Sequence, residues 1–332
     1  MAGNLFAVNS LGGFMYAAEL DTEFREAVQP EVKFRQFADA QSAFGKQRGQ
    51  TFNWDVYLNI QTQGGTLVET NTMPESNFRV SQGTLTVTEY GNSIPYTGKL
   101  EYLAKQSVRR PIMNGLKNDA KKTFDIAAHA QFNNTLLKVC PAAAGTSTGT
   151  LATSSSGTMT DTNNIAYRNT HAKLVSDFMK ERNIPTYTGD DYFAIAWPST
   201  YRAMKNDLES IHQYTSEGFG MIMNGEIGRY ENIRHVEQTF IPKGGAEDST
   251  TWNASTGTAD AWNSAVSDWI FFFGEDTVME GIAVAEEIRA KLPGDYGRSK
   301  GIAWYALTGF GIVHADTNFP EQARIVKWDS AV

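Results

Sequence analysis

The sequence predicts an α+β fold, and three observations carry that prediction. Residues 109–139 repeat apolar side chains at a helical step over unusual length: Ile112, Leu116, Ala120, Phe124, Ala128, Phe132 and Leu136 recur every fourth position. In residues 52–61 the step becomes two, with Phe52, Trp54, Val56, Leu58 and Ile60 alternating with Asn53, Asp55, Tyr57, Asn59 and Gln61. Beyond residue 165, short apolar strands and amphipathic helices intermingle, as they do when both kinds of element gather around one sheet.

Composition narrows the function classes. The 332 residues suffice for one large or two modest domains with a sizeable core. A net charge of −8 argues against a protein that lives by gripping nucleic acid through phosphates, though a surface that tolerates nucleic acid nearby stays possible. The lone Cys140 excludes an intramolecular disulfide framework and any multi-cysteine metal site. The opening residues have neither a basic start nor an apolar stretch of signal-peptide length. The longest wholly apolar runs, 192–197 and 269–273, are too short to span a bilayer. A soluble cytoplasmic product with no membrane partner is expected.

Taken in order, residues 1–47 form an arm. Segments 17–27 and 37–44 could make short helices, but neither has a partner within the arm, and such segments are ordered by packing on something else. Residues 48–106 read as an extended β-hairpin. Gln63-Gly64-Gly65 turns its first strand, and alternation resumes at Leu85, Val87, Ile94, Tyr96 and Leu100. An isolated hairpin is marginal in water, so its apolar face must rest on another surface, in this chain or another.

The long helix, 109–139, accepts Pro111 near its start and is stopped by Cys140-Pro141. It would run roughly 45 Å, longer than a compact domain needs. It carries Arg109, Arg110, Lys117, Lys121, Lys122 and Lys138 against only Asp119 and Asp125.

In residues 141–163, eighteen of twenty-three are Ala, Gly, Ser or Thr, a composition that makes a surface loop and cannot make a core. Asn163-Asn164 would cap a helix over 165–182 with Leu174, Val175 and Phe178 on its buried face. A strand at 192–197, a helix opened by Pro198-Ser199 and running to Ile211, and strands at 233–241 and 269–273 follow. A second Gly/Ser/Thr/Ala-rich stretch occupies 243–264. Three C-terminal strands, 284–292, 302–314 and 323–328, are joined by turns at Pro293-Gly294-Asp295 and 317–321. A sheet that small needs a cover, and the long helix is the candidate.

Catalytic patterns are lacking. His129, His171, His212, His235 and His314 show no metal-ligand spacing. Gly218-Phe219-Gly220 and Gly309-Phe310-Gly311 are too short for a phosphate loop and read as turns or close-packing points. No Gly-x-Ser-x-Gly elbow occurs. Asp190-Asp191 and Glu286-Glu287 are adjacent pairs, which point to opposite faces of a strand and read as solvated surface rather than acid/base couples. Cys140 has no evident basic partner and reads as an ordinary thiol. No enzyme activity, cofactor or metal is expected.

What remains is an arm without a home, a hairpin without a core and a strut longer than its domain, features that fit copies borrowing surface from one another. Their order resembles the major capsid protein of tailed bacteriophages, the Hong Kong-type shell fold. Two phrases sharpen the likeness to a podovirus-like group: Thr66-Leu67-Val68-Glu69-Thr70-Asn71-Thr72-Met73-Pro74 with Leu85-Thr86-Val87-Thr88-Glu89-Tyr90-Gly91-Asn92-Ser93-Ile94, and Asn224-Gly225-Glu226-Ile227-Gly228-Arg229-Tyr230-Glu231-Asn232-Ile233-Arg234. The resemblance covers residue 48 to the C-terminus.

The resemblance implies an N-terminal arm (1–47), an extended hairpin or E-loop (48–106), a peripheral P-domain with the spine helix and β-strands (107–145 and 280–332), and a central α/β axial A-domain (146–279). It also implies self-assembly into pentamers and hexamers of an icosahedral virion shell around phage double-stranded DNA, built in the host cytoplasm and matured from a procapsid. Implied partners are a separate scaffolding protein, a possible decoration or cement protein, a portal, and DNA touched non-specifically. Residues 49–98 contain no lysine, so the covalent cross-link some family members form there is not expected and the contacts would be non-covalent. The arm is shorter than the scaffolding extension others carry. A bacterial nanocompartment shell shares the fold; a soluble glycan-binding or adhesion protein is the reading from another class and would need a closed β-sandwich.

Charge adds a separate expectation. Residues 49–98 carry Asp55, Glu69, Glu75 and Glu89 against Arg79 alone, opposite in sign to the helix. An acidic hairpin of one copy would then lie near Lys117, Lys121 and Lys122 of another, with Phe52, Trp54 and Val56 as apolar contacts. The rival is that the lysines face the packaged DNA.

Overall fold

The computed structural model describes residues 29–42, 50–58, 64–104, 107–141, 150–157, 165–212, 228–241, 252–253, 258–259, 268–314 and 322–330. Expectations for segments 17–27 and 224–227, and for Gly218-Phe219-Gly220, lie outside them.

The chain opens with a 3₁₀ turn at Arg35–Phe37 and strand β1 (Ala38–Gln41). The helix expected at 37–44 does not form, because β1 pairs in parallel with a distant strand, β13 (Val278–Ala290), and Phe34 and Phe37 are buried in the main core. The described part of the arm therefore has a home in its own chain.

Strands β2 (Thr51–Tyr57) and β3 (Val80–Thr86) form an antiparallel ribbon in register from Thr51–Thr86 to Tyr57–Val80. Strand β4 (Thr88–Thr97) leaves the ribbon and joins the sheet of β13, and helix α1 (Gly98–Leu103) follows, its Leu100 amide capped by the Thr97 hydroxyl.

The spine helix α2 spans Arg109–Asn133, roughly 38 Å, and ends six residues before the predicted Val139. At its end the Asn134 amide returns to the Ala130 and Gln131 carbonyls. Residues beyond are claimed by pairing: β5 (Leu137–Pro141) lies between β6 (Leu151–Ser154) and the C-terminal strand β15 (Ile325–Ser330). Ladder formation on two sides outweighs helical periodicity, and Pro141 is tolerated because the β15 ladder has already ended at Val139. The Ala/Gly/Ser/Thr tract expected to be only loop thus contributes β6.

Helix α3 (Asn169–Glu181) buries His171, Ala172, Val175, Ser176 and Met179; the predicted face is turned, with Leu174 and Phe178 at its rim. Strand β7 (Tyr192–Ala196), helix α4 (Arg202–His212), β8 (Arg229–Tyr230), β9 (Ile233–Glu237), the short pair β10 (Trp252–Asn253) and β11 (Thr258–Ala259), and β12 (Asp268–Phe273) follow. Glu231 and Asn232 turn β8 into β9 with positive φ of 50° and 60°, the backbone a two-residue hairpin turn requires. Asp191, expected at the surface, is 3% exposed and bridges Arg229 and Arg234 at 2.6 and 2.7 Å. It ties that hairpin to β7.

Strand β14 (Ser299–Ile312) pairs with both β13 and β4, closing a four-stranded sheet of order β1-β13-β14-β4. The third expected C-terminal strand, β15, does form, but it belongs to the other sheet, of order β6-β5-β15-β12-β7-β9-β8.

Burial explains why the strands of this seven-stranded sheet are continuous apolar runs: both of its faces are covered. Ile270 and Phe272 of β12, with Ala194 and Ala196 of β7, face α3 and α4. Phe271, Phe273 and Ile195 face the other way, into a core shared with α2. That core runs along Ile112, Leu116, Phe124, Ala128 and Phe132 and continues under the four-stranded sheet at Ile302, Trp304, Ala306 and Phe310. The spine helix is longer than one domain needs because it packs against both sheets.

Candidate inter-subunit surface

The β2–β3 ribbon sits on the face of β14 that α2 leaves open. Alternate residues of β14 face the helix, and the intervening Gly309 and Gly311 meet the ribbon. A β-carbon on Gly309 would collide with the Thr86 carbonyl, and one on Gly311 would lie 2.8 Å from Leu85 Cβ and 3.1 Å from Trp54. Gly281, paired with Gly309 across the sheet, would meet Leu85 at 3.0 Å, and Gly83 leaves room for the Trp54 indole. Four glycines thus make a seat for Trp54 and Leu85, and the Trp54 indole N–H donates to the Val313 carbonyl at 3.0 Å. The Gly309-Phe310-Gly311 motif is a close-packing point.

This seat changes what the hairpin residues can offer a neighbour. Phe52 and Trp54 pack with Leu85, Val87, Met279 and Val313 of their own chain, and Val56 lines a small cleft with Leu58, Val313 and His314. The outward face of the ribbon carries Thr51, Asn53, Asp55, Thr84 and Gln82, with Gln82 donating to Asp55 at 3.2 Å. The apolar surface left open lies toward the tip. Tyr57, Leu67, Val68, Met73, Phe78 and Val80 are all between 47% and 74% exposed, and the Tyr57 ring lies tilted against Phe78, centres 6.2 Å apart. So dense a set of exposed large side chains makes the tip the candidate contact surface among the described residues. Sequence reasoning named the inward-facing residues because alternation reveals that one face is apolar, not which body covers it.

Glu69, Glu75 and Arg79 lie on the exposed tip segment, and Glu89, at the root, accepts the Tyr305 hydroxyl at 3.2 Å. On α2, Lys117 and Lys121 are exposed, whereas Lys122 is half-buried with its ammonium 6.0 Å from the Phe240 ring. Both acids of the helix are spent inward. Asp119 accepts from Asn92 at 3.0 Å and from the Trp304 indole at 2.9 Å, and buried Asp125 accepts from the Arg35 amide at 3.1 Å. The outward face of the helix is therefore more positive than its composition. Arg109 is partly neutralised by Glu101, 2.9 Å away.

Among the described residues, the buried histidines stand apart and uncharged. Burial pushes His129 and His235 down to about 3 and His314 to about 4, so these rings are neutral at pH 7. Cys140 is buried. Among the described residues, no three His, Cys, Asp or Glu side chains cluster as metal ligands, and no helix is long and apolar enough to cross a membrane.

No family model and no curated protein matches the chain. Solved structures do. The capsid of cyanophage P-SCSP1u matches with a TM-score of 0.66 at 11% identity, over 95% of this chain and 93% of that one. The capsid of Ralstonia phage GP4 matches with 0.64 at 10% identity, over 100% and 98%. The head structure of Helicobacter pylori bacteriophage KHP40 matches with 0.61 at 13% identity, over 95% of each chain. The chain has the Hong Kong-type fold of these phage capsid structures.

Proposed function

We propose that the chain is the major capsid protein of a tailed bacteriophage, assembling through non-covalent contacts into an icosahedral shell around double-stranded DNA. The observation that carries this reading is the end-to-end match to phage capsid chains, in which neither chain leaves a domain unaccounted for. A second support is the apolar tip of the hairpin, which is uncovered among the described residues and fits a contact with another copy. Its partners would be other copies in pentamers and hexamers, a separate scaffolding protein, a portal, a possible decoration protein and DNA touched non-specifically. Its place is the virion, after assembly in the host cytoplasm. The rival readings, a nanocompartment shell and an adhesion protein, have no observation that favours them over a capsid subunit.

Within such a shell, the acidic, apolar hairpin tip of one copy would meet the positive outer face of α2 in another. Each exposed charge pair contributes only about 0–1 kcal/mol, so Tyr57, Phe78 and their neighbours would supply most of the affinity and the charges would set register. The test reverses Lys117 and Lys121 to glutamate, sparing the half-buried Lys122. The expected result is loss of closed empty shells, partly restored by Glu69→Lys with Glu75→Lys. Normal empty shells that package DNA poorly would instead place these lysines against the genome.

A further inference from the structure

Residues 29–42 form a strap across the junction of the two sheets. At one end the Glu31 amide donates to the Thr239 hydroxyl at 2.9 Å and the Thr239 amide returns to the Glu31 carbonyl at 3.2 Å. At the other end β1 pairs with β13. Between them Phe34 packs edge-on against His129 and Phe132 of α2 and Phe271 of β12, while Phe37 lies tilted against Phe193 and edge-on to Phe273. The strap thus touches the spine helix and both sheets.

Its underside closes on one carboxyl. Asp125 is 0% exposed; its Oδ1 accepts the Arg35 amide at 3.1 Å, and its Oδ2 is buried with no hydrogen-bond partner among the described residues. From the strap, Lys33, Phe34 and Arg35 turn backbone amides toward it, and the Arg35 charge faces it. That charge is shared: from β13, Glu280 and Glu286 hold the Arg35 guanidinium at 2.8 and 2.9 Å. From its own helix, His129 lies one turn on and is neutral. Two carboxylates therefore hold the guanidinium, and Asp125, under the strap, is the least well solvated of the three acids.

We propose that the strap is a pH-sensitive latch: it closes over Asp125 with uptake of a proton and loosens as that carboxyl ionises. Burial raises the Asp125 carboxyl from 3.8 to about 6, against the opposing pull of the strap amides and Arg35. With the strap lifted, the side chain returns to water and its ordinary value. A group raised in the closed state favours closure fully at low pH and loses that contribution as pH rises through the raised value. Between pH 5 and 8 the closed population relative to open falls about tenfold. Asp39 on β1, raised by burial and by Asp276 and Glu275, acts in the same direction. Glu286, held below its ordinary range by Arg35, acts oppositely, but only at pH values below that range.

The test is amide exchange of residues 31–38 in the unassembled full-length chain at pH 5, 6, 7 and 8, corrected for intrinsic rates. Wild type should lose about tenfold in protection across this range. Asp125→Asn keeps the acceptor for the Arg35 amide but cannot titrate, and should lose most of the change. A carbon-13 carboxyl titration of wild-type Asp125 needs no variant and should show a midpoint near 6. Protection independent of pH in wild type, an undiminished tenfold change in the variant, or a carboxyl midpoint below about 4.5 would each overturn the latch.

Discussion

Arg35→Ala is expected to destabilise the chain by about 3–5 kcal/mol, the usual cost of stranding one partner of a buried pair. The Arg35 guanidinium donates from Nε and Nη2 to Glu280 at 3.2 and 2.8 Å and from Nη1 and Nη2 to Glu286 at 2.9 and 3.1 Å, and it lies 4.4 Å from the centre of the Phe124 ring. Glu280 is only 3% exposed, so removing the guanidinium leaves a carboxylate with neither water nor a cation. Glu286, at 45% side-chain exposure, can turn to solvent, and Glu286→Ala should cost no more than about 1 kcal/mol. Urea unfolding of the three proteins measures the difference. Adding Glu280→Gln to Arg35→Ala should recover part of the loss, because the interaction, not the separate residues, carries the energy. A loss below about 1 kcal/mol for Arg35→Ala would show that Glu280 finds another partner.

Gly309→Val should cost about 1–3 kcal/mol and act chiefly on the hairpin. The new side chain occupies space held by the Thr86 backbone carbonyl and Leu85, and a carbonyl in a ribbon cannot give way as the end of a flexible side chain can. The ribbon must lift, taking Trp54 off the Val313 carbonyl. Limited proteolysis within residues 50–87 should accelerate, Trp54 should become more accessible to quencher, and shells should not form, while the α2 core stays folded. Gly115→Ala is the matched control. Gly115 lies on the exposed side of α2 with nothing near its missing β-carbon, so the same kind of change should stabilise by about 0.5–1 kcal/mol. Unchanged proteolysis in Gly309→Val would mean the seat does not hold the hairpin.

The spine helix and the ribbon were legible in the sequence because each states its own period over many residues. Ile112 to Phe132 kept the helical step, and Phe52 to Val56 kept the step of two that the pleat imposes. The helix end at Asn133 was not legible. Leu136 continues the helical stripe, and only the ladders to β6 and β15, strands brought from 10 and nearly 190 residues away, make residues 137–141 a strand. The same blindness hid the strap, since Arg35 and Glu280 stand 245 residues apart and neither carries a local sign of its partner.

At the candidate surface, the hairpin was legible, but whether its apolar face rests on its own chain or on another was not. Alternation showed that Phe52 and Trp54 share a face; it could not show that Gly309 and Gly311 had already cleared a place for them. Most of the exposed apolar tip, Leu67, Val68, Met73 and Phe78, lies outside the alternating strands, so no periodic signal announced it. The charge asymmetry was readable, and the structure sharpened it by turning Asp119 and Asp125 inward and leaving Lys117 and Lys121 outside.

This chain is expected to build a shell from copies of itself. Electron cryomicroscopy of the expressed full-length chain, with and without a co-expressed scaffolding protein, tests it most directly. Closed icosahedral particles are expected, with subunits meeting around five- and six-fold centres and the hairpin tip covered by a neighbouring copy. A monodisperse monomer that persists under every condition, with the tip still exposed, would contradict it.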